Sequence, residues 1–167
     1  MNTITSTNSI LEKIPMSPVV VPVEEKQSTT LQQFERAVGA GIFLNYSRSD
    51  ELFALELTEK LREAGINIWL DMIDVEDDGD WFAEVDAALE SKGLMIAILS
   101  PEALEEEQLL DERQQFRECG KLILPVIHEK CELQGLKFHL PFVDFSSDFG
   151  RGFLQLSRIL TAATPTA

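Results

Sequence analysis

Residues 42–71, IFLNYSRSDELFALELTEKLREAGINIWLD, read as strand, helix and strand in succession. Ile42 to Tyr46 and Ile66 to Leu70 are short apolar runs, the pattern of strands buried on both faces. Between them, over residues 50 to 64, Phe53, Leu57, Leu61 and Ala64 recur at the spacing of a helix with one apolar face. A strand that returns through a helix to another strand makes a crossover, and crossovers build parallel sheets. The alternation continues along the chain. Further strands are expected at Leu94 to Leu99, Leu122 to Ile127 and Leu140 to Val143. Helices are expected at 81 to 91, where Phe82, Val85 and Leu89 share a face, after Ser100 and Pro101, and over Phe149, Phe153, Leu156 and Leu160. Five strands with intervening helices fit an α/β, flavodoxin-like doubly wound parallel sheet of order 2-1-3-4-5, with helices on both faces.

At 167 residues, 44% of them hydrophobic, the chain can bury one sizeable core. Residues 1–38 are expected to be mostly a disordered tail, because Pro15, Pro18 and Pro22 interrupt any helix there. Thr30 can cap a short helix over LQQFERAV that stops at Gly39, either a lid over the domain or the tail's end. The folded domain is expected over 39–161, with 162–167 fraying. A net charge of -15 disfavours nucleic acid and anionic membrane surfaces as partners, since both attract clustered Lys and Arg. No apolar run approaches the ~20 residues of a membrane span. The start MNTITSTNSI lacks the basic and apolar regions of a secretion signal, so a cytoplasmic location is expected. Cys119 and Cys131 are too few for a disulfide framework and read as reduced thiols.

In this topology the ligand crevice lies outside the carboxyl ends of strands 1 and 3, where the strand order reverses. That rule gathers Asn45, Tyr46, Ser47, Arg48, Ser100 and the helix beyond it, with the connection Met72 to Asp80, including Gly79, able to arch over them. On that helix Leu109 and Phe116 lie on one face, and Glu112 falls about 60° from their stripe at ~100° per residue. Glu112 therefore borders the core. Its neighbours four residues away are Gln108 and Phe116, so it lacks a basic helical partner. The plainer reading is a solvated glutamate paired with Arg113 or a distant lysine. Tyr46 and Arg48 offer a stacking face and a phosphate fork, or else belong to a helix cap in which Ser49 or Asp50 satisfies free N–H groups.

Other chemistries find little support. A phosphate-cradling GxxxxGK[ST] motif is absent, and Gly39 and Gly41 precede a strand instead of following one. His128 and Cys131 supply two ligands where zinc takes three or four, and His139 adjoins a strand, so no metal site is expected. Neither histidine has an evident link to Ser47 or Ser100 that would activate a serine. Asp74, Glu76, Asp78, Gly79 and Asp80 imitate the start of a calcium loop, but the closing acid falls on Val85 and a strand precedes the loop. Trp69 and Trp81 flank this loop as core anchors, with Trp81 placed to edge the crevice.

The ordered blocks FLNYSRSDELFALELTEKLREAGINIWLD, WFAEVDAALE, MIAILSPEAL, DER at 111–113, GKLILPV and FVDF together resemble a bacterial Toll/interleukin receptor (TIR) domain over about residues 41–160. The resemblance implies a flavodoxin-like fold and either NAD+ glycohydrolase activity or assembly with other TIR domains in signalling or defence. It aligns Glu112 with the essential glutamate of catalytic members. Met72 to Asp80 resembles the loop that covers their nucleotide pocket and docks on neighbours. On this likeness NAD+ is a substrate, no further cofactor is needed, and the products are nicotinamide and ADP-ribose or a cyclic isomer. Arg48 would hold phosphate, Tyr46 and Trp81 would line the pocket, and Asp71 would organise the loop. The chain departs from the pattern at Gln108, where many active members carry Trp or Cys, at Glu106, where a small polar residue is common, and at Gly79, one place late. Acidic residues Glu105 to Glu107 would also repel a pyrophosphate nearby.

Overall fold

The computed structural model describes residues 31–75, 79–133, 136, 138 and 140–163. Contacts divide the chain into residues 1–33 and 34–167, and the second unit carries every strand of the sheet. The expectation of a disordered tail, Glu76 and Asp78 of the acidic loop, His139 and the last four residues lie outside the described residues.

Helix α1 (residues 31–39) leads through Gly41 into β1 (Ile42–Asn45). Gly41 has φ +102°, a conformation that the absence of a Cβ makes easy. A 3-10 turn (Arg48–Asp50), α2 (Glu51–Glu63), β2 (Ile68–Trp69), a short α3 (Asp71–Asp74) and α4 (Trp81–Ser91) come next. The chain then forms β3 (Leu94–Leu99), α5 (Glu107–Glu118), β4 (Leu122–Ile127), β5 (Val143–Asp144) and α6 (Phe149–Ala162). All pairings are parallel and the order is β2-β1-β3-β4-β5, as the alternation of strands and helices predicted.

Strand alternation divides the core between two faces. Ile42 and Leu44 of β1 and Leu94, Ile96 and Ile98 of β3 pack with α1, α2 and α6, through Phe34, Leu57, Leu61, Leu156 and Leu160. Phe43, Met95, Ala97 and Leu99 point the other way, onto Val85, Ala88 and Leu89 of α4 and Phe116 of α5. Because both faces are covered, the central strands read as unbroken apolar runs.

Three elements differ from expectation. β5 pairs Val143 with Val126 and Asp144 with Ile127, so the edge strand begins after Pro141, which has no N–H to donate to a ladder. β2 is confined to Ile68–Trp69, although Ile66 and Leu70 on either side are buried. The segment after β2 starts with a helical turn held by Asp74. Its Oδ2 accepts from the Leu70 N–H at 2.7 Å and from Arg62 Nη2 at 2.6 Å, while Arg62 also caps the Ile68 carbonyl. Asp74 is thus engaged within the fold and is not a free cation ligand. Asp80, likewise, caps α4 by accepting from the Ala83 N–H.

α1 packs beside Gly93, at the amino ends of the strands. The crevice lies at the opposite ends, so this helix is not its lid. Among the described residues no helix is long and apolar enough to cross a membrane.

Candidate active site

Glu112 is 9% exposed and sits on the wall of a cleft beyond the ends of β1 and β3. Asn45 Nδ2 donates to its Oε2 at 2.9 Å, and Gln108 Nε2 donates to its Oε1 at 3.3 Å. Burial pushes the Glu112 carboxyl above its ordinary range, an effect that these two donors oppose, Asp71 adds to and Arg113 opposes. The helical angle that set Glu112 beside the Leu109–Phe116 stripe explains this half-way placement. The plainer reading fails on both counts, because the side chain is neither solvated nor hydrogen-bonded to Arg113.

Arg113 is instead fully buried, donating from Nε to Asn45 Oδ1 at 3.0 Å and from Nη2 to the Ala103 carbonyl at 2.5 Å. Burial and Arg117 lower its pKa to about 10, so it remains cationic at neutral pH. Sequence reasoning set Asn45 at the switch point with Tyr46, Ser47 and Arg48 but gave it no role of its own. One polar residue ending an apolar strand has no periodicity to announce it; the clue was an amide on the same strand face as Phe43, the face that α5 covers.

The cleft is also lined by Tyr46, Arg48, Asp71 and Trp81, as expected from the sequence. Tyr46 Oη donates to Asp71 Oδ1 at 2.6 Å, and Asp71 accepts as well from the Met72 N–H, so Asp71 does order the start of the loop. Arg48 is exposed at the rim. Three expected residues do not line it. Ser47 is buried and caps the 3-10 turn through the Ser49 N–H. Ser100 is completely buried, donating to Asp50 Oδ2 at 2.5 Å and capping the turn at Ala103. Gly79 is exposed on the loop and lies outside the cleft wall.

The cleft itself encloses about 50 Å³. Trp81, Val85, Gln108 and Glu112 also line a shallower groove of about 390 Å³ between α4 and α5, where Asp86, Glu107 and Asp111 add negative charge. Trp69 stacks on Phe43 at 5.3 Å as a core anchor.

Behind Ser100 lies a second polar group. Asp50 accepts from Ser100 and meets His128 Nδ1 at 2.9 Å, and the His128 ring stacks on Phe53 at 4.1 Å. Aspartate stands between serine and histidine, so the histidine cannot take the serine proton and this is no nucleophilic triad. Ligand atoms of Asp50, His128 and Glu129 lie within 4.8 Å of one another, but Asp50 and His128 are already bound to each other. Cys131 does not join them, and burial together with Asp50 pushes its thiol pKa up, away from the thiolate a metal requires.

The parallel sheet of order β2-β1-β3-β4-β5, covered by helices on both faces, defines a flavodoxin-like doubly wound α/β domain, with the buried Glu112 at its switch point. Residues 42–157 match the TIR domain family, and the chain belongs to that family. Among solved structures it is similar to the TIR domain of the Toll-related receptor TRR-2 from the lower metazoan Hydra magnipapillata. That likeness has 20% identity and a TM-score of 0.61 and covers 72% of this chain and 97% of that one. It is similar also to a chain of the RPS4 and RRS1 TIR domain heterodimer, at 17% identity and a TM-score of 0.50, over 73% and 96% of the two chains. These likenesses show the fold. No curated protein matches the chain.

Proposed function

We propose that this TIR domain is a cytoplasmic NAD+ nucleosidase of the bacterial kind, cleaving the bond between nicotinamide and ribose to leave ADP-ribose or a cyclic isomer. The observation that carries the proposal is Glu112: a carboxylate withdrawn from water, held by two amide donors, at the edge of the switch-point cleft. Cleavage breaks the C–N bond with both electrons passing to the pyridinium nitrogen, so nicotinamide leaves neutral and needs no general acid. The sugar becomes oxocarbenium-like, and a fixed carboxylate in a poorly hydrated site stabilises that positive charge. Water, giving up a proton to the solvent, or the adenine ring of the same substrate in cyclisation, then closes on the anomeric carbon. Arg48 is the cation lining the cleft that can meet the pyrophosphate. Tyr46 and Trp81 supply aromatic walls.

A second reading, a TIR module that only recruits other TIR domains in signal transduction, is favoured by the cleft's volume. About 50 Å³ is well below the roughly 300–1,000 Å³ of small-molecule sites, and Glu106 and Asp71 add negative charge to its wall. Catalysis then requires the cleft to open into the α4–α5 groove, which self-association with further TIR domains can bring about. Both readings include such association.

Nicotinamide release from NAD+, measured at low and high protein concentration beside Glu112→Gln, separates them. The enzymatic reading expects release that rises with assembly and is lost in the variant. Equal release by Glu112→Gln, or none from folded and assembled protein, overturns it.

A further inference from the structure

Asn45 ends β1 on the same face as Phe43 and is 1% exposed. Buried that deeply, an amide must find partners within the protein. Its Nδ2 donates to Glu112 Oε2 at 2.9 Å and to the Leu109 carbonyl at 3.3 Å, and its Oδ1 accepts from Arg113 Nε at 3.0 Å. Turning the amide over would set its oxygen against a carboxylate and a carbonyl and its NH₂ against a guanidinium, so the partners allow one orientation. Arg113 is anchored in turn on the Ala103 carbonyl.

We propose that Asn45 is the positioning residue of this site, an amide clamped by Arg113 that fixes one oxygen of Glu112 and leaves the other to meet the ligand. The other oxygen, Oε1, accepts from the exposed Gln108 amide at 3.3 Å, a longer contact that a ligand hydroxyl can displace. The donor that fixes Oε2 comes from the central sheet and not from the helix that carries Glu112. Helix and sheet are therefore tied at the reacting group, which is what precise placement of a carboxylate demands. The role rests on Glu112 being the working carboxylate proposed above.

A donor to a carboxylate favours its ionised form. The other charged groups facing Glu112 are Asp71 from α3, which opposes ionisation, and Arg113 on its own helix, which favours it. Arg48 and Glu106 also line the cleft, and Asp86 of α4 with Glu107 and Asp111 of α5 line the adjoining groove that Glu112 shares. Asn45→Asp keeps an acceptor for Arg113 while turning the donor into a repelling acceptor; Asn45→Ala removes both contacts.

The test tracks the Glu112 carboxyl by carbon NMR in protein labelled at the glutamate side-chain carboxyl, with its resonance identified by loss in Glu112→Gln. In both Asn45 variants Glu112 should titrate at higher pH, by roughly one unit or more. In the unsubstituted protein the Asn45 side-chain amide protons should shift with the same midpoint as Glu112, a readout that stands even if a variant fails to fold. An unmoved Glu112 titration in a folded variant, or an Asn45 amide that ignores that midpoint, overturns the proposal. Nicotinamide release on the same samples keeps the two readings apart. Coupled titration without any release overturns the enzymatic reading, and with it a part for Asn45 in catalysis, while the positioning of Glu112 by Asn45 stands. With release, the acid limb of the kcat/KM profile should move upward together with Glu112.

Discussion

Tyr46 donates its phenolic hydrogen to Asp71 Oδ1 at 2.6 Å, tying the end of β1 to the turn that opens the loop after β2. Burial, first, and then Asp71 push this phenol well above its ordinary pKa of 10.0. It is the chain's single tyrosine, so tyrosinate absorbance reads this contact alone. The folded protein should show no tyrosinate as pH passes ~10, with the signal appearing only on unfolding. Since the folded state holds the proton longer than the unfolded state, the contribution is complete below about pH 10 and is lost as pH rises towards the folded value. Tyr46→Phe should lower stability at neutral pH by about 1.5 kcal/mol and flatten the alkaline decline, as measured by urea unfolding on either side of pH ~10.

Glu112 carries the opposite lesson at neutral pH, because its raised pKa means that ionisation costs the folded state more than the unfolded one. The folded protein is favoured below the ordinary carboxylate range, where the group is protonated in both states. That advantage is lost as pH rises through the folded value. Glu112→Gln keeps an amide that can satisfy Asn45 and Gln108 and removes the buried charge. It should therefore raise the denaturation midpoint at pH 7, with the gain shrinking to nothing as pH falls below the group's ordinary value of 4.5. A loss of stability at pH 7 would mean that the two amide donors outweigh burial.

The central strands were legible because sandwiching between helix layers makes them continuous apolar runs, and Glu112 because a helix's angle per residue is fixed. α3 escaped, since four residues are too few to show a helical period and what holds the turn is Asp74, reaching Leu70 and Arg62. Ser100 illustrates a different limit. Topology set it near the switch point, but the direction of its side chain is decided by Asp50, fifty positions earlier in the chain. Asn45 likewise finds its partners 64 to 68 positions away, where local patterns carry no information.

Thr58 offers a gain in stability. It is fully buried in α2 among Phe53, Ala54, Leu57 and Leu61, and among the described residues its Oγ1 has no hydrogen-bond partner. An unsatisfied hydroxyl costs its desolvation without return, whereas valine has nearly the same shape and a similar helix preference. Thr58→Val should stabilise the domain by about 1 kcal/mol, moving the urea midpoint upward with an unchanged slope. A fall in the midpoint would show that the hydroxyl is satisfied in solution.

Gly93 tests whether the helix at the amino ends of the strands is energetically separate from the cleft at their carboxyl ends. A Cβ at this position would lie 2.6 Å from the Ala37 carbonyl oxygen, 2.8 Å from its Cα and 2.9 Å from Ala40 Cβ. Backbone cannot yield as a flexible side chain would, so Gly93→Ala must push residues 37–40 off their seat and loosen Phe34, Ala37 and Val38 from the core. A cost of about 2 kcal/mol is expected, in line with other overpacked contacts. Hydrogen exchange should quicken in residues 34–40 and leave the protection of α5, and with it the setting of Glu112, unchanged. Equal loss of protection in α5 would show that the two ends of the sheet unfold as one unit.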